Sequence, residues 1–285
     1  MSTQQPPTPE ASAVASGGSH SGYSSPIPVT PTHLGHALAS EWTKMKSVRS
    51  TVWTLGVFVL LVVGIGLLAA VAVRGADELD GQNPLTLGFF GLLLGMMCVM
   101  TLGVLTTASE YGTGMIRTTM TACPSRGRVL AAKSIVFFVV AFVVTLATVS
   151  LVALIQTSML DSSGTKTPSG EEWLKATLGI SLYIALLGLL SLLVGSMIRH
   201  SAGAITIMIG AVLAPLVIAL FMNANSLEKV QQALLEYSIP SQMGVFYDNT
   251  LSHSGPSGWE PLWIILGVTA AAFAGAYALL QSRDV

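Results

Sequence analysis

Six apolar stretches dominate the chain: Thr51 to Val73, Leu85 to Thr107, Ser134 to Met159, Ala176 to Ile198, Ser201 to Met222 and Pro261 to Leu280. Each runs 20 to 26 residues without one Asp, Glu, Lys, Arg or His. A helix needs about 20 apolar residues to cross the hydrocarbon core of a bilayer. The runs are continuously apolar, whereas barrel strands alternate in segments of about 10 residues. The pattern predicts an all-α integral membrane protein with six transmembrane helices.

Before the first stretch, Leu34, Leu38, Trp42 and Met45 fall on one helical face, with Glu41 and Lys44 assigned to the polar side. Thr30 is placed as a cap and Pro31 at the first helical position. Residues 31 to 50 therefore read as an amphipathic helix lying in the membrane interface, anchored by Trp42. The alternative is a plain extension of the first span. Residues 1 to 30 are rich in Ser, Thr, Pro, Gly and Ala, with Glu10 as the one charged residue. Such a segment cannot bury enough apolar surface to order itself, and it reads as a disordered cytoplasmic tail. It lacks the basic leader and short apolar core of a signal peptide.

Charge gives an orientation. With six spans both termini share a side, and that side carries Lys44, Lys46, Arg49, Arg117, Arg126, Arg128, Lys133, Arg199 and Arg283. The other side holds Arg74, Lys166, Lys175 and Lys229. Lys and Arg are retained on the cytoplasmic side of short loops, so both termini are expected in the cytoplasm. Trp53, Trp173, Trp259 and Trp263 at span ends fit an interfacial aromatic belt.

Absences narrow the function. Ion-coupled carriers place costly ionisable groups within the membrane, and the six stretches hold none. No charged filter ring is evident, and Cys98 and Cys123 form neither a disulfide framework nor a ligand cluster. No catalytic constellation, metal site or nucleic-acid partner is expected. Gly127 to Ser134 reads GRVLAAKS, one residue short of a phosphate-binding loop, with Ala132 where the second glycine belongs. That loop must follow a strand, so Lys133 reads instead as the headgroup-level end of the third span.

The loop from Ser109 to Lys133 is the most structured polar segment. Glu110 and Tyr111 precede a Gly112/Gly114 hinge, a short helix spans Met115 to Thr121, and Pro124 breaks the chain before Arg126 and Arg128. It reads either as a docking element or as a solvated basic loop that fixes topology. Beyond the fifth span, Leu227, Val230 and Leu234 predict an amphipathic outer helix ended before Pro240, either a lid or a surface loop. Small residues at Gly88, Gly91, Gly95 and Cys98, and at Gly267, Ala271 and Gly275, predict close helix packing, within the bundle or against a second copy.

The run Glu41 to Thr51 (EWTKMKSVRST), the run Glu110 to Gly114 continuing to Ile116 and Arg117, Pro124 to Arg126, Lys133, and the turn Arg199 to Ser201 together resemble the permease subunits of bacterial type-2 ABC exporters. The resemblance extends from about Leu34 to Leu280. It implies a six-helix permease preceded by an interfacial helix, with a coupling helix between spans two and three received by a separate cytoplasmic ATPase. Glu110, Tyr111, Gly112, Gly114, Ile116 and Arg117 would lie at that joint, with Pro124 and Arg126 framing its exit. ATP would be held by the partner, leaving this chain non-catalytic and without a cofactor. A second permease, identical or not, and membrane lipid are the other partners implied, with the bacterial cell membrane as location. The rival readings are an ion-coupled carrier or channel, which would be indifferent to loss of an ATPase, and a non-transporting immunity or sensor protein. The cargo is not specified by these residues.

Overall fold

A computed structural model describes residues 33–74, 82–123, 125–161, 165–222, 227–249 and 255–282. The chain divides into two units, of which the first, Met1–Pro31, lies outside the described residues, and with it the expected tail of residues 1 to 30 and the helix start expected at Thr30 and Pro31. Thr32–Val285 form the second unit. Its described residues contain six helices long and apolar enough to cross a membrane.

Helix α1 (Leu34–Ser47) starts after His33 rather than at Pro31. Val48 then takes an extended conformation, so α1 is a separate helix and not a continuation of α2 (Arg49–Val73). A 3-10 turn (Pro84–Leu87) leads into α3 (Gly88–Gly112). The Asn83 side chain caps that turn, accepting from the Leu85 N–H at 3.0 Å. After Gly112 come the short α4 (Met115–Ala122) and α5 (Arg126–Leu160). Residues 126 to 133, read from sequence as the exit of a loop, are the opening turns of this 35-residue helix.

Helix α6 (Gly170–Leu174) is capped reciprocally by Ser169 and Glu172 and passes through one π-helical turn (Lys175–Gly179) into α7 (Ile180–Ile198). Arg199, in the left-handed region at φ 59°, closes α7. The next span is α8 (Ser201–Phe221). Two short helices, α9 (Glu228–Glu236) and α10 (Ile239–Gly244), with a 3-10 turn (Val245–Tyr247), precede the last span α11 (Glu260–Ser282).

Helices α3 and α7 form the centre, each with two thirds of its most apolar stretch buried, while α2, α8 and α11 have about a fifth of theirs buried. Their closeness has a local cause. A Cβ on Gly103 would stand 2.3 Å from the carbonyl oxygen of Gly188, so only glycine allows this crossing. On the other side of α3, Gly91 and Gly95 receive Val62 and Phe58 of α2, and Gly88 receives Tyr247. The first small-residue stripe is thus consumed inside the bundle. In the second, Gly267 faces open space and Gly275 meets the Met197 sulfur.

The outer segment holds the expected short helix as α9 and adds a buried stretch after it. Leu227, just before α9, and Val230 within it are exposed, whereas Pro240 to Tyr247 are buried. Pro240 sits in the first turn of α10, behind the Ser238 cap, and opens a helix rather than ending one. Phe246 and Tyr247 insert beside Tyr183 and Phe89, with ring centroids 5.8 and 6.4 Å apart, so the chain dips into the bundle there.

Candidate functional site

The expected docking loop is a built structure. Gly114, at φ 73°, turns the chain through the left-handed region that glycine adopts without a Cβ penalty, and α4 begins at the next residue. Ile116 is buried and pins α4, leaving Met115 and Arg117 exposed. Gly112 has open space where a side chain would stand. Pro124 lies outside the described residues. Arg126 donates to the carbonyl of Leu280 at 2.7 Å, joining the start of α5 to the end of α11. The Arg199 guanidinium lies 4.9 Å above the Tyr111 ring, a cation–π contact tying the end of α3 to the turn between α7 and α8.

Glu110 points the other way. It is buried with Glu41 of α1 and Lys133 of α5, and Lys44 of α1 closes the group at the surface. Lys133 Nζ stands 2.7 Å from Glu41 Oε2 and 2.8 Å from Glu110 Oε1. Lys44 Nζ stands 2.8 Å from Glu41 Oε1 and 3.1 Å from Glu110 Oε1. Two carboxylates and two ammonium groups, drawn from three helices, make a neutral cluster. Neutrality matters, because an unpaired charge in such a place costs several kcal/mol.

Two sequence-based assignments are corrected here. Glu41 is not on the outer face of α1 but 4% exposed, on the stripe shared with Met45. Lys133 does not reach toward headgroups but is 3% exposed beneath α1, because the two carboxylates there supply what water would. The signal for Glu41 was present: Leu38, Glu41 and Met45 follow the three-and-four spacing of a buried stripe. Burial alone would raise the Glu41 pKa, but the Lys133 and Lys44 charges outweigh it and hold the carboxyl below its ordinary range. Lys44 moves up, because its bonds and charge contacts with Glu41 and Glu110 exceed its own desolvation. The phosphate-loop likeness at Gly127 to Ser134 dissolves in the same geometry, since these residues are helical and Tyr277 occupies the space a side chain on Gly127 would need.

Trp42 is half exposed on α1, and Trp53 is more so on α2. Between α1 and α4 lies a groove of about 370 Å³, lined by His36, Ser40 and Lys44 on one side and Met115, Thr118 and Cys123 on the other. Among the described residues no group of His, Cys, Asp and Glu is arranged to hold a metal ion.

Six membrane-length helices among the described residues, with a short amphipathic helix between the second and third of them, define a multi-pass helical membrane protein. A family model described as ABC-2 family transporter protein matches residues 37–214, and the chain belongs to that family. It is accordingly a membrane permease component of an ABC transporter. No curated protein matches the chain.

Proposed function

We propose that this chain is half of an export path, paired with a second permease and driven by a separate ATPase that docks on the face built by α1 and α4. The reading rests chiefly on α4. It is a short helix outside the six spans, pinned by Ile116, with Met115 and Arg117 exposed beside the groove it shares with α1. The end carrying α4 also carries Lys46, Arg49 and Arg117, which supports a cytoplasmic position for it and for both termini in the cell membrane. ATP would be bound and hydrolysed on the partner, with this chain supplying the moving walls. In this reading Met115 and Arg117 touch the ATPase, while Glu110 and Tyr111 hold the docking helix in place from beneath.

The test is purification of the tagged chain from its native membrane in mild detergent, followed by identification of co-purifying proteins and an ATPase assay. A soluble ATPase recovered in near-equal amount, and lost in Arg117→Glu while membrane insertion persists, is the expected result. Recovery of intact protein with no ATPase, or undiminished ATPase on the Arg117→Glu chain, overturns it.

A further inference from the structure

Helices α5 and α11 are pinned at one end and part toward the other. Near α4, Arg126 donates to the Leu280 carbonyl at 2.7 Å, and the Tyr277 ring fills the space beside Gly127. Farther from α4 the two helices separate over α7, to which α11 is tied by the Thr269 hydroxyl donating to the Leu186 carbonyl at 3.4 Å. Between them opens a wedge of about 550 Å³, floored by the half-buried Leu182 and Leu186 of α7. Phe138 of α5 forms one wall, and Leu262, Trp263 and Leu266 of α11 form the other. Its volume falls within the roughly 300–1,000 Å³ of small-molecule sites.

Depth identifies what fills it. At 1.5 Å per residue, Phe138 lies about 18 Å along α5 from Arg126, and Leu266 about 24 Å along α11 from Ser282. The apex of the wedge is therefore near the middle of a core about 30 Å thick, and its mouth faces the interface on the side away from α4. Trp259 stands at that mouth, packed over Gly179 with its ring 6.5 Å from Phe246, and the neighbouring Trp263 is 71% exposed. Such rings sit at headgroup level. The lining carries no charged side chain, so nothing in it orients a polar ligand. A partner helix is about 10–12 Å across and packs closely on small residues, whereas this lining is Leu, Phe and Trp. A single hydrocarbon chain is thin enough to enter and meets apolar surface on three sides.

We infer that this wedge holds one acyl chain of a phospholipid from the leaflet on the side away from α4. The upper carbons lie against Trp263, and the terminal carbons reach Leu186 and Leu266. Held on three sides, the chain makes more dispersion contacts than one lying on a single exposed helix face. The central helix α7 thereby meets lipid through Leu182 and Leu186, between two helices that are joined at their other ends. The inference needs only the membrane and this chain, and stands apart from the ATPase reading.

The experiment uses the whole chain in vesicles of phosphatidylcholine that include a small share of the same lipid with a photoreactive diazirine near the end of one acyl chain. The protein is extracted in mild detergent, washed free of loose lipid, illuminated and mapped by peptide mass spectrometry. Leu60 of α2 and Leu213 of α8, exposed residues near the middle of their spans, serve as reference faces. Label at Leu182 and Leu186 roughly tenfold above label at the references is expected, because three walls in place of one multiply the contacts that hold the chain. Leu182→Trp, which fills the floor, should bring label at Leu186 down to the reference level. If that variant fails to fold, the map on the unaltered chain decides alone. Equal label at all four residues, or none at any of them, overturns the inference as lipid that only surrounds the protein. Label at the references alone overturns it as a wedge closed to lipid. Benzoylphenylalanine placed at position 266 should capture lipid, and capture of a second copy instead overturns the inference as an interface between copies.

Discussion

Lys133 Nζ lies 2.8 Å from Glu110 Oε1, both groups buried, although 23 residues and the whole docking loop separate them in the chain. The pair closes the base of the hairpin formed by α3, α4 and α5, and Glu41 brings α1 to the same ammonium. One lysine thus fixes three helices at the end of the molecule where a partner is proposed to act.

Removing it leaves two buried carboxylates with only the half-exposed Lys44 to share. Lys133→Met should destabilise the chain by about 3–5 kcal/mol, the usual cost of breaking a buried pair. Adding Glu110→Gln should recover part of that loss. Denaturation in detergent, followed by helical circular dichroism, measures both, and equal stability of the Lys133→Met chain and the parent would refute a structural role.

The cluster also sets a dependence on pH. The folded-state pKa of Glu41 lies below its unfolded value, so its contribution is complete above the unfolded value, about 4.3 for Glu. It is lost as pH falls through the lower folded value. The Lys44 pKa is raised, so its contribution is complete below the unfolded value of about 10.4 and disappears as pH climbs through the folded one. A plateau between these limbs is expected in the melting temperature. Glu41→Gln should lower the plateau and flatten the acid limb, and an unchanged acid limb would assign it to other carboxylates.

Glycine at position 103 admits a backbone that any side chain would push away. Gly103→Ala should cost about 1–3 kcal/mol through forced separation of α3 and α7. Gly112→Ala, at an open position, should change stability by no more than about 0.5 kcal/mol. Equal or higher stability of Gly103→Ala would mean that the two helices part without cost and that only the gain in helix propensity is being measured.

Gln156 donates to the Gly66 carbonyl at 2.9 Å, while its own Oε1 is buried without a partner. Gln156→Leu deletes a favourable bond and an orphaned acceptor together, so the net change should stay under about 1 kcal/mol. Thermal denaturation decides it, and a loss above 2 kcal/mol would mean the amide carries more than this bond.

Much of the fold was legible because the bilayer demands long uninterrupted apolar helices, which a sequence displays openly. The hinge at Gly114 and the helix from Met115 were legible too, since glycine punctuation and amphipathic spacing are local. The inward turn of Glu110 and Lys133 was not, and that of Glu41 showed only in its spacing from Leu38 and Met45. Each is an ordinary charge near a span end, and burial becomes affordable only when all of them meet, a relation no local window contains. The buried stretch from Pro240 to Tyr247 escaped for a similar reason. Its polar Ser241 and Gln242 look solvated until the Ser238 cap and the Tyr237 carbonyl are seen to hold them.

Helix α5 runs without interruption from Arg126 to Leu160 and carries Lys133 near one end and Gln156 near the other. At 1.5 Å per residue they lie about 35 Å apart along the axis, so a tilt of about 5° pivoting at Lys133 swings the Gln156 end by roughly 3 Å. The 2.9 Å contact between Gln156 and Gly66 has no such tolerance. Were α5 to tilt as one piece it would act as a lever arm, and α2 would have to ride with its far end or let go of it.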